Sequence, residues 1–241
     1  MIDTILLTAA RIVTYENQRS MTNASGFFFR RDERLFLVTS RHVLLDKPSG
    51  HHPNRIEIEL HTRERDMGRS IGFSVPLYRN GRSQWRQGTD SGGEIDIAMI
   101  ELERAALPAT TVLRAFTPEH LQDSEQPVQI GSSLLVVGFP LGFHDTLHHL
   151  PVVRQAVIAS AFGMRFQGQG YFLTDARTHR GTSGAPIVMH DPASADPELP
   201  WKLLGVHSAR LDMSNRDKVV DESLGLNCAW YADMLLTLSE A

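Results

Sequence analysis

The sequence predicts an all-β protein of two β-barrels with one short helix at its C-terminal end. Short apolar runs recur at roughly regular spacing, a proline-rich stretch separates two groups of them, and there is no long helical crossover to join parallel strands. We therefore predict strands at residues 2–14, 26–29, 35–39, 55–62, 72–78, 95–102, 134–139, 152–158, 171–174, 185–189, 203–207 and 224–229.

The segments between these runs carry turn and loop signals. The charged block 30–34 is the predicted tip of a hairpin. Residues 80–93, rich in Gly, Ser and Gln, predict a long loop, and the Pro- and Asp-rich residues 191–200 predict an exposed one.

Two groups of strands predict two units. We expect an N-terminal barrel over residues 1–112, a linker over 113–128 inside the proline-rich stretch, and a C-terminal barrel over 129–241. The second unit ends in a helix, because the apolar residues of 230–239 fall near one helical face.

Composition places the chain among ordinary soluble globular proteins. Of its 241 residues, 41% are hydrophobic and 22% charged, and the formal net charge is −4. That balance gives no reason to expect binding to nucleic acid or to an anionic membrane. Cys228 is the only cysteine, and the N-terminal apolar run is short and has no basic leader. We therefore expect a cytoplasmic protein without disulfides.

Residues 174–188 are the stretch on which the functional hypothesis depends. They are Thr-Asp-Ala-Arg-Thr-His-Arg-Gly-Thr-Ser-Gly-Ala-Pro-Ile-Val, with Ser183 in a glycine-containing turn between apolar runs. Glycine permits backbone conformations that aim several N–H groups at one point beside the hydroxyl. A serine hydroxyl alone is a poor nucleophile and needs a base and an orienting carboxylate. Without these partners, the stretch is an ordinary Gly/Ser turn.

Asp96 and His42 are the candidate partners of this serine. Asp96 lies within the apolar run Ile-Asp-Ile-Ala-Met-Ile, where a buried carboxylate needs a specific donor. The alternative is that strand alternation places it on a solvated face. His42 follows the apolar run 35–39 in a predicted helical turn at 41–45, capped by Ser40. A histidine there can be fixed in one tautomer; the alternative is a surface histidine on a loop.

Four short motifs occur in one order along the chain: Leu-Val-Thr-Ser-Arg-His-Val at 37–43, Asp-Ile-Ala-Met-Ile-Glu-Leu at 96–102, Gly-Phe-Pro-Leu-Gly at 138–142 and Gly-Thr-Ser-Gly-Ala-Pro at 181–186. Their order and spacing resemble the landmarks of chymotrypsin-fold (trypsin-like) serine peptidases, and residues 174–184 are particularly similar to the bacterial heat-shock branch. The resemblance covers nearly the whole chain apart from the loops at 80–93 and 191–200. It implies two six-stranded antiparallel β-barrels of the chymotrypsin type, with a short C-terminal helix.

The resemblance also implies a serine endopeptidase that forms an acyl-enzyme without a metal or organic cofactor. His42 would take the proton of the Ser183 hydroxyl, and Asp96 would hold the imidazole in the right tautomer. The backbone N–H groups of Gly181 and Ser183 would face the oxyanion. Thr182 stands where the digestive members carry an aspartate that pairs with a newly cut N-terminus, so activation by that route is not expected.

Specificity follows from the resemblance as well. It places the primary pocket just before the serine and along a later strand, where Arg177, Thr178 and His207 would bind an acidic or amide side chain. The alternative is that Arg177 points to solvent and His207 only packs. The clustered histidines at 51–52 and 144–149 lack the spacing of a metal site, so no metal is expected.

Two functions of different classes fit these residues. The first is an active intracellular serine endopeptidase acting on protein or peptide substrates. The second is a catalytically silent or regulated trypsin-like scaffold that binds peptides or partner proteins in the same cleft. The complete set of His42, Asp96 and Ser183 favours the peptidase, because a scaffold does not need all three. A regulatory partner protein is compatible with both functions.

Overall fold

The computed structural model describes residues 2–123, 126–212 and 223–240 of the chain. The first group of strands is β1 (Ala9–Glu16), β2 (Arg19–Arg31), β3 (Arg34–Thr39), β4 (Arg55–His61), β5 (Ser70–Pro76), β6 (Tyr78–Arg79), β7 (Arg82–Ser83), β8 (Trp85–Asp90) and β9 (Gly93–Leu102). The second group is β10 (Ser133–Gly138), β11 (Val152–Ile158), β12 (Tyr171–Asp175), β13 (Pro186–His190), β14 (Trp201–Asp212) and β15 (Ser223–Tyr231). Two α-helices, α1 (Arg41–Leu44) and α2 (Met234–Glu240), accompany 3-10 turns at Thr4–Leu7, Arg104–Ala106, Pro118–His120, Pro140–Gly142 and Phe166–Gly168.

The strands form two antiparallel units and a small hairpin. Seven strands of the first group make one sheet in the order β5-β4-β1-β2-β3-β9-β8, and β6 pairs with β7. The second group closes into a six-stranded barrel in the order β10-β11-β12-β15-β14-β13. The predicted all-β, chymotrypsin-like class is confirmed. The predicted boundaries at the linker 113–128 stay a prediction, and its residues 124 and 125 lie outside the described part of the chain.

The prediction of a long loop over residues 80–93 was wrong. This range contains β7, β8 and the first residue of β9, and β8 extends the N-terminal sheet to seven strands by pairing with β9. Trp85 explains the pairing: its side chain is buried, sits opposite Ile100 in the ladder, and contacts the Tyr78 ring at 5.4 Å between centroids. The rest of β8 is polar because it follows an accessible face, so its composition resembles that of a loop.

Both ends of the chain differ in detail from the prediction. Residues 4–7 form a 3-10 turn, with Asp3 accepting the Ile5 N–H at 3.2 Å, so the first strand begins at Ala9. At the other end β15 continues to Tyr231, and the predicted terminal helix begins only at Met234. Neither α1 nor any other helix in the described ranges has the length and apolar composition needed to span a bilayer.

One core cluster joins the two units and the terminal helix. It contains side chains of the N-terminal sheet, the barrel and α2, among them Phe27, Phe36, Ile97, Val137, Leu203, Trp230 and Leu235. Arg31 and Arg34 fix the helix from the N-terminal sheet, because they donate to the carbonyls of Leu236 and Ser239 at 2.7 and 3.0 Å. The Ser239 carbonyl is one that the end of the helix leaves without an intrahelical partner. The two units and the terminal helix therefore pack against one another.

Candidate active site

Neighbouring strands bring His42 and Asp96 together. β3 ends at Thr39, just before α1, and Thr39 pairs with Ala98 of β9, two residues beyond Asp96. His42 Nδ1 lies 2.7 Å from Asp96 Oδ2, and the His42 backbone N–H donates to Asp96 Oδ1 at 2.9 Å. One carboxylate thus fixes both the helical turn and the imidazole ring.

The two partners move each other's pKa in opposite directions. Burial is the largest effect on the pKa of His42 and lowers it, but the hydrogen bond and charge of Asp96 outweigh burial, so the pKa is raised above 6.5. Burial likewise acts most strongly on the pKa of Asp96 and raises it, yet the hydrogen bonds and charge around it leave that pKa lowered. An ionised carboxylate only accepts hydrogen bonds. Neutral His42 therefore carries its proton on Nδ1 and leaves the Nε2 lone pair open.

Ser208, on β14, links the carboxylate to the predicted nucleophile. Its hydroxyl donates to Asp96 Oδ2 at 2.5 Å, and its carbonyl accepts the Ser183 hydroxyl at 3.0 Å. The Asp96 side chain is 16% exposed, so this bond replaces water that burial removes. Ser183 and His42 line the same cleft of about 820 Å³. The Ser183 hydroxyl donates its hydrogen bond to the Ser208 carbonyl, however, and not to the imidazole.

Two glycines shape residues 180–184, which we call the serine turn. Gly181 and Gly184 have φ angles of +89° and +85°, in the left-handed region that favours glycine. A Cβ at these positions would collide with the carbonyl oxygens of Phe139 and Ser25, respectively. The turn therefore accepts a side chain at neither position.

A hydrogen bond fixes the peptide between Arg180 and Gly181. The Leu141 N–H donates to the Arg180 carbonyl at 2.6 Å, and because the peptide is trans, the Gly181 N–H points away from Leu141. Leu141 itself has φ +53°, a conformation that costs a non-glycine residue on the order of 1 kcal/mol. Within the described residues, neither the Gly181 nor the Ser183 N–H has an acceptor. Both donors are left for an acceptor from outside the chain.

Ser25, on β2, ties the serine turn to the N-terminal sheet. Its hydroxyl donates to the Gly181 carbonyl at 2.8 Å and accepts the Phe139 N–H at 2.9 Å. Its backbone N–H donates to the Ser183 carbonyl at 2.9 Å, and its carbonyl accepts Thr39 Oγ1 at 2.8 Å. Ser25 is fully buried, so these bonds do not compete with water. Sequence reasoning missed this residue and the role of Ser208, because neither lies in a pattern that distinguishes it from ordinary strand serines.

Arg177 and Thr178 line a cavity of about 320 Å³ on one side of the serine turn. Arg177 is exposed, as a residue that meets a ligand must be. Thr178 is buried, and its hydroxyl donates to Asn227 Oδ1 in the same wall. The Asn227 amide in turn donates to the Ala176 carbonyl at 2.8 Å, which fixes the wall.

His207 is not among the residues that line this cavity. Its side chain is 2% exposed, and burial, followed by the charge of His42, lowers its pKa to about 4, so it is neutral at physiological pH. Its backbone supports the serine turn instead: its N–H donates to Ala185 and its carbonyl accepts the Gly184 N–H, at 2.9 and 2.8 Å. Ser40 occupies the predicted N-cap position of α1, but its hydroxyl makes no capping bond and donates to this same carbonyl at 3.1 Å.

The described ranges contain no group of three or more His, Cys, Asp and Glu side chains arranged to hold a metal ion. The rings of His144 and His149 stack at 6.1 Å, but His144 Nδ1 is engaged by the Gly142 carbonyl at 2.6 Å.

A family model described as the trypsin-like peptidase domain matches residues 24–192. The match covers more than half of the chain and includes the positions of His42, Asp96 and Ser183. The chain belongs to this family. No curated protein sequence matches it significantly.

Solved serine proteases share the fold. A serine endoprotease from Yersinia pestis superposes with a TM-score of 0.58 and 15% sequence identity, over 98% of this chain and 62% of that chain. The Rv3671c protease of Mycobacterium tuberculosis, in an inactive form, gives a TM-score of 0.53 and 15% identity, over 98% of this chain and 89% of that chain. This chain thus spans less than two thirds of the Yersinia protein's length. At such identities the likeness shows the fold alone.

Proposed function

We propose that this trypsin-like peptidase domain is an active serine endopeptidase. Ser183 is the nucleophile, His42 the general base and acid, and Asp96 the residue that orients the imidazole. The observation that carries the proposal is the His42 Nδ1–Asp96 Oδ2 hydrogen bond of 2.7 Å in the cleft that Ser183 also lines. That bond leaves Nε2 as an unprotonated acceptor.

The proposed reaction uses groups already described. Attack requires the Ser183 hydroxyl to rotate about χ1 from the Ser208 carbonyl to His42 Nε2, which takes the proton as Oγ bonds to the peptide carbonyl carbon. The N–H groups of Gly181 and Ser183 then stabilise the oxyanion, at roughly 3 kcal/mol per donor. His42 returns the proton to the leaving amine, and water hydrolyses the acyl-enzyme through the same groups.

The proposal also covers the class of substrate. The substrates are proteins or peptides, and the preference for an acidic or amide side chain is assigned to Arg177 and Thr178, which line the cavity beside the serine turn. His207 supports the turn through its backbone. A cytoplasmic location and a regulatory partner protein stay predictions, and no nucleic acid, membrane, metal or cofactor is part of the proposal.

A silent scaffold is the second candidate, and one observation favours it. The Ser183 hydroxyl donates to the Ser208 carbonyl, a position from which it does not transfer a proton to His42. A protein that only binds peptides in the cleft could keep the hydroxyl there.

Labelling with a fluorophosphonate separates the two candidates. We expect the wild type to form one covalent adduct, which peptide mass mapping locates on Ser183, because this hydroxyl lines the cleft together with the candidate base His42. His42→Ala should abolish labelling, while Ser74→Ala, at an exposed serine of β5, should label like the wild type. Absence of an adduct on the folded wild type, with peptide binding retained, would establish the scaffold.

The activity should have an acidic limb set by His42. The base works only when neutral, and Asp96 raises the pKa of His42 above 6.5, so protonation removes activity as pH falls through a value above 6.5. His207 does not titrate in this window, because its pKa is about 4. The measurement is the pH dependence of kcat/KM for a neutral peptide. A limb with its midpoint well below 6.5 would contradict the His42–Asp96 pairing.

Ser25→Ala should lower kcat more than it raises KM. The change leaves the Gly181 carbonyl and the Phe139 N–H buried without a partner, which costs about 1–3 kcal/mol per group, and loosens the turn that carries the oxyanion donors. We expect kcat to fall about ten- to a hundred-fold. Thr14→Val is the matched control, because Thr14 is equally buried but its hydroxyl bonds Thr22 within the N-terminal sheet. Equal losses of kcat in both variants at equal melting temperature would contradict the role of Ser25.

A further inference from the structure

Four arginines and a histidine surround the serine turn, and we call them the basic surface. Arg154 lies on β11, Arg177, His179 and Arg180 lie in or just before the turn, and Arg210 lies on β14. They come from segments far apart in the chain, and the chain as a whole has a formal net charge of −4. The basic surface is therefore a local group of cations on a protein whose formal net charge is negative.

The residues of the basic surface line the cleft and two smaller cavities. Arg177, His179 and Arg210 line the cavity of about 320 Å³, and His179 also lines a groove of about 370 Å³ together with Arg154. Arg180 lines the cleft that holds Ser183 and His42. Arg210 is two residues beyond Ser208, or about 7 Å along an extended strand. A peptide bound at Ser183 thus meets Arg180 in the cleft itself, which Glu16 and Asp46 also line, and further cationic side chains lie in the two smaller cavities.

Three of these arginines have no counter-charge among the described residues. Arg154, Arg177 and Arg180 form no ion pair with any described residue, and Asp175 is the one carboxylate among the described residues that line the cavity. Other arginines of the chain do form ion pairs, among them Arg31 with Glu240, Arg34 with Glu101, Arg55 with Glu57, Arg104 with Glu33 and Arg165 with Asp90.

The cations are close enough to act on one another. Burial lowers the pKa of His179, and the charges of Arg154, Arg177 and Arg210 lower it further. Arg154 Nε is buried and has no hydrogen-bond partner. Like charges held close together raise the energy of the free protein, and an anion that binds between them lowers it.

From this arrangement we propose that the basic surface binds an acidic segment of the protein substrate, with Asp or Glu side chains on both sides of the bond presented to Ser183. The proposal rests on the endopeptidase function proposed above. The guanidinium fork accepts a carboxylate with two parallel hydrogen bonds, which suits Arg177 and Arg154 to this ligand. A long nucleic acid fits less well, because beyond the basic surface it meets a protein of net negative charge.

Peptide binding tests the proposal without relying on catalysis. The probe is a fluorescein-labelled acidic peptide, compared with its isostere in which every Asp and Glu is Asn or Gln, and the protein is the Ser183→Ala variant. By fluorescence anisotropy we expect the acidic peptide to bind at least about ten-fold more tightly, with the advantage shrinking between about 50 and about 300 mM NaCl.

Matched double variants locate the binding surface. Arg154→Gln combined with Arg177→Gln should remove most of the acidic advantage. Arg79→Gln combined with Arg82→Gln removes the same charge from the exposed β6–β7 hairpin and should leave the advantage intact.

Each result decides the proposal. Equal affinity for the two peptides, or an advantage that survives loss of Arg154 and Arg177, overturns it. A single-stranded DNA oligonucleotide that binds more tightly than the acidic peptide and displaces it also overturns it. Failure of the wild type to react with a fluorophosphonate instead counts against the endopeptidase function, and leaves the anisotropy result to stand on its own.

Discussion

Replacing Ser183 with alanine is expected to lower kcat for a peptide substrate by about a million-fold, the loss typical of removing the nucleophile from such a site. Without Oγ no acyl-enzyme forms, and His42 has no proton to accept. The residual rate comes from the oxyanion donors and from substrate binding. The measurement is kcat after active-site titration of the wild type.

The fold should survive this change. The Ser183 hydroxyl makes one hydrogen bond among the described residues, to the Ser208 carbonyl, whereas the turn is held by backbone bonds and by Ser25. We expect the melting temperature of Ser183→Ala to stay within a few degrees of the wild type, since one lost bond is worth about 1 kcal/mol. An enzyme that keeps a tenth of its activity as Ser183→Ala would have another nucleophile.

The strands that sequence predicts well are those buried on both faces. β3 is buried at five of its six positions and β9 at six of its ten, and both are rich in apolar residues, so composition alone identifies them. β8 was not predicted because Trp85 is its one buried side chain, and the residues after it alternate between half-buried and exposed. β8 forms a strand because it pairs with the edge of β9 that β3 does not occupy. This pairing depends on the tertiary fold and not on the residues of β8 alone.

The candidate active site also contains residues that the sequence identifies and residues whose role depends on the tertiary fold. His42, Asp96 and Ser183 lie in motifs whose order is visible in the chain, and the structure brings the first two into hydrogen-bond contact and the third into their cleft. Ser25 and Ser208 act through partners 156 and 112 residues away. Their neighbours in sequence say nothing about those partners, so only the folded chain reveals what their hydroxyls do.

The residues predicted to bind the substrate side chain were only partly placed by the sequence. Arg177, Thr178 and His207 were grouped by resemblance, but strand geometry separates them: the first two line the cavity, and the imidazole of the third is buried. Successive residues of β14 point to opposite faces, so Ser208 reaches Asp96 while its neighbour His207 is directed elsewhere. Since adjacent residues of a strand point to opposite faces, a sequence motif that contains both cannot show which of them lines the pocket.

Asp96→Asn is expected to lower kcat/KM by about 10⁴-fold, although it changes the side chain by one atom. Three donors face the carboxylate: the backbone N–H and Nδ1–H of His42, and the Ser208 hydroxyl. An amide has one oxygen and one donating nitrogen, so its NH₂ must oppose either the backbone N–H or the pair at Oδ2. If it opposes the pair, it drives the imidazole proton from Nδ1 to Nε2, where the base is no longer free.

The pH profile distinguishes this mechanism from a general loss of structure. Asp96 raises the pKa of His42, so removal of its charge should move the residual acidic limb of kcat/KM to lower pH. Asp46→Asn is the matched control, because Asp46 also raises the pKa of His42 by its charge but makes no hydrogen bond to the ring. We expect it to shift the limb slightly and to change kcat/KM by less than about three-fold. A comparable loss in both variants would mean that charge alone matters, whereas the geometry at Asp96 requires the hydrogen bond to set the tautomer.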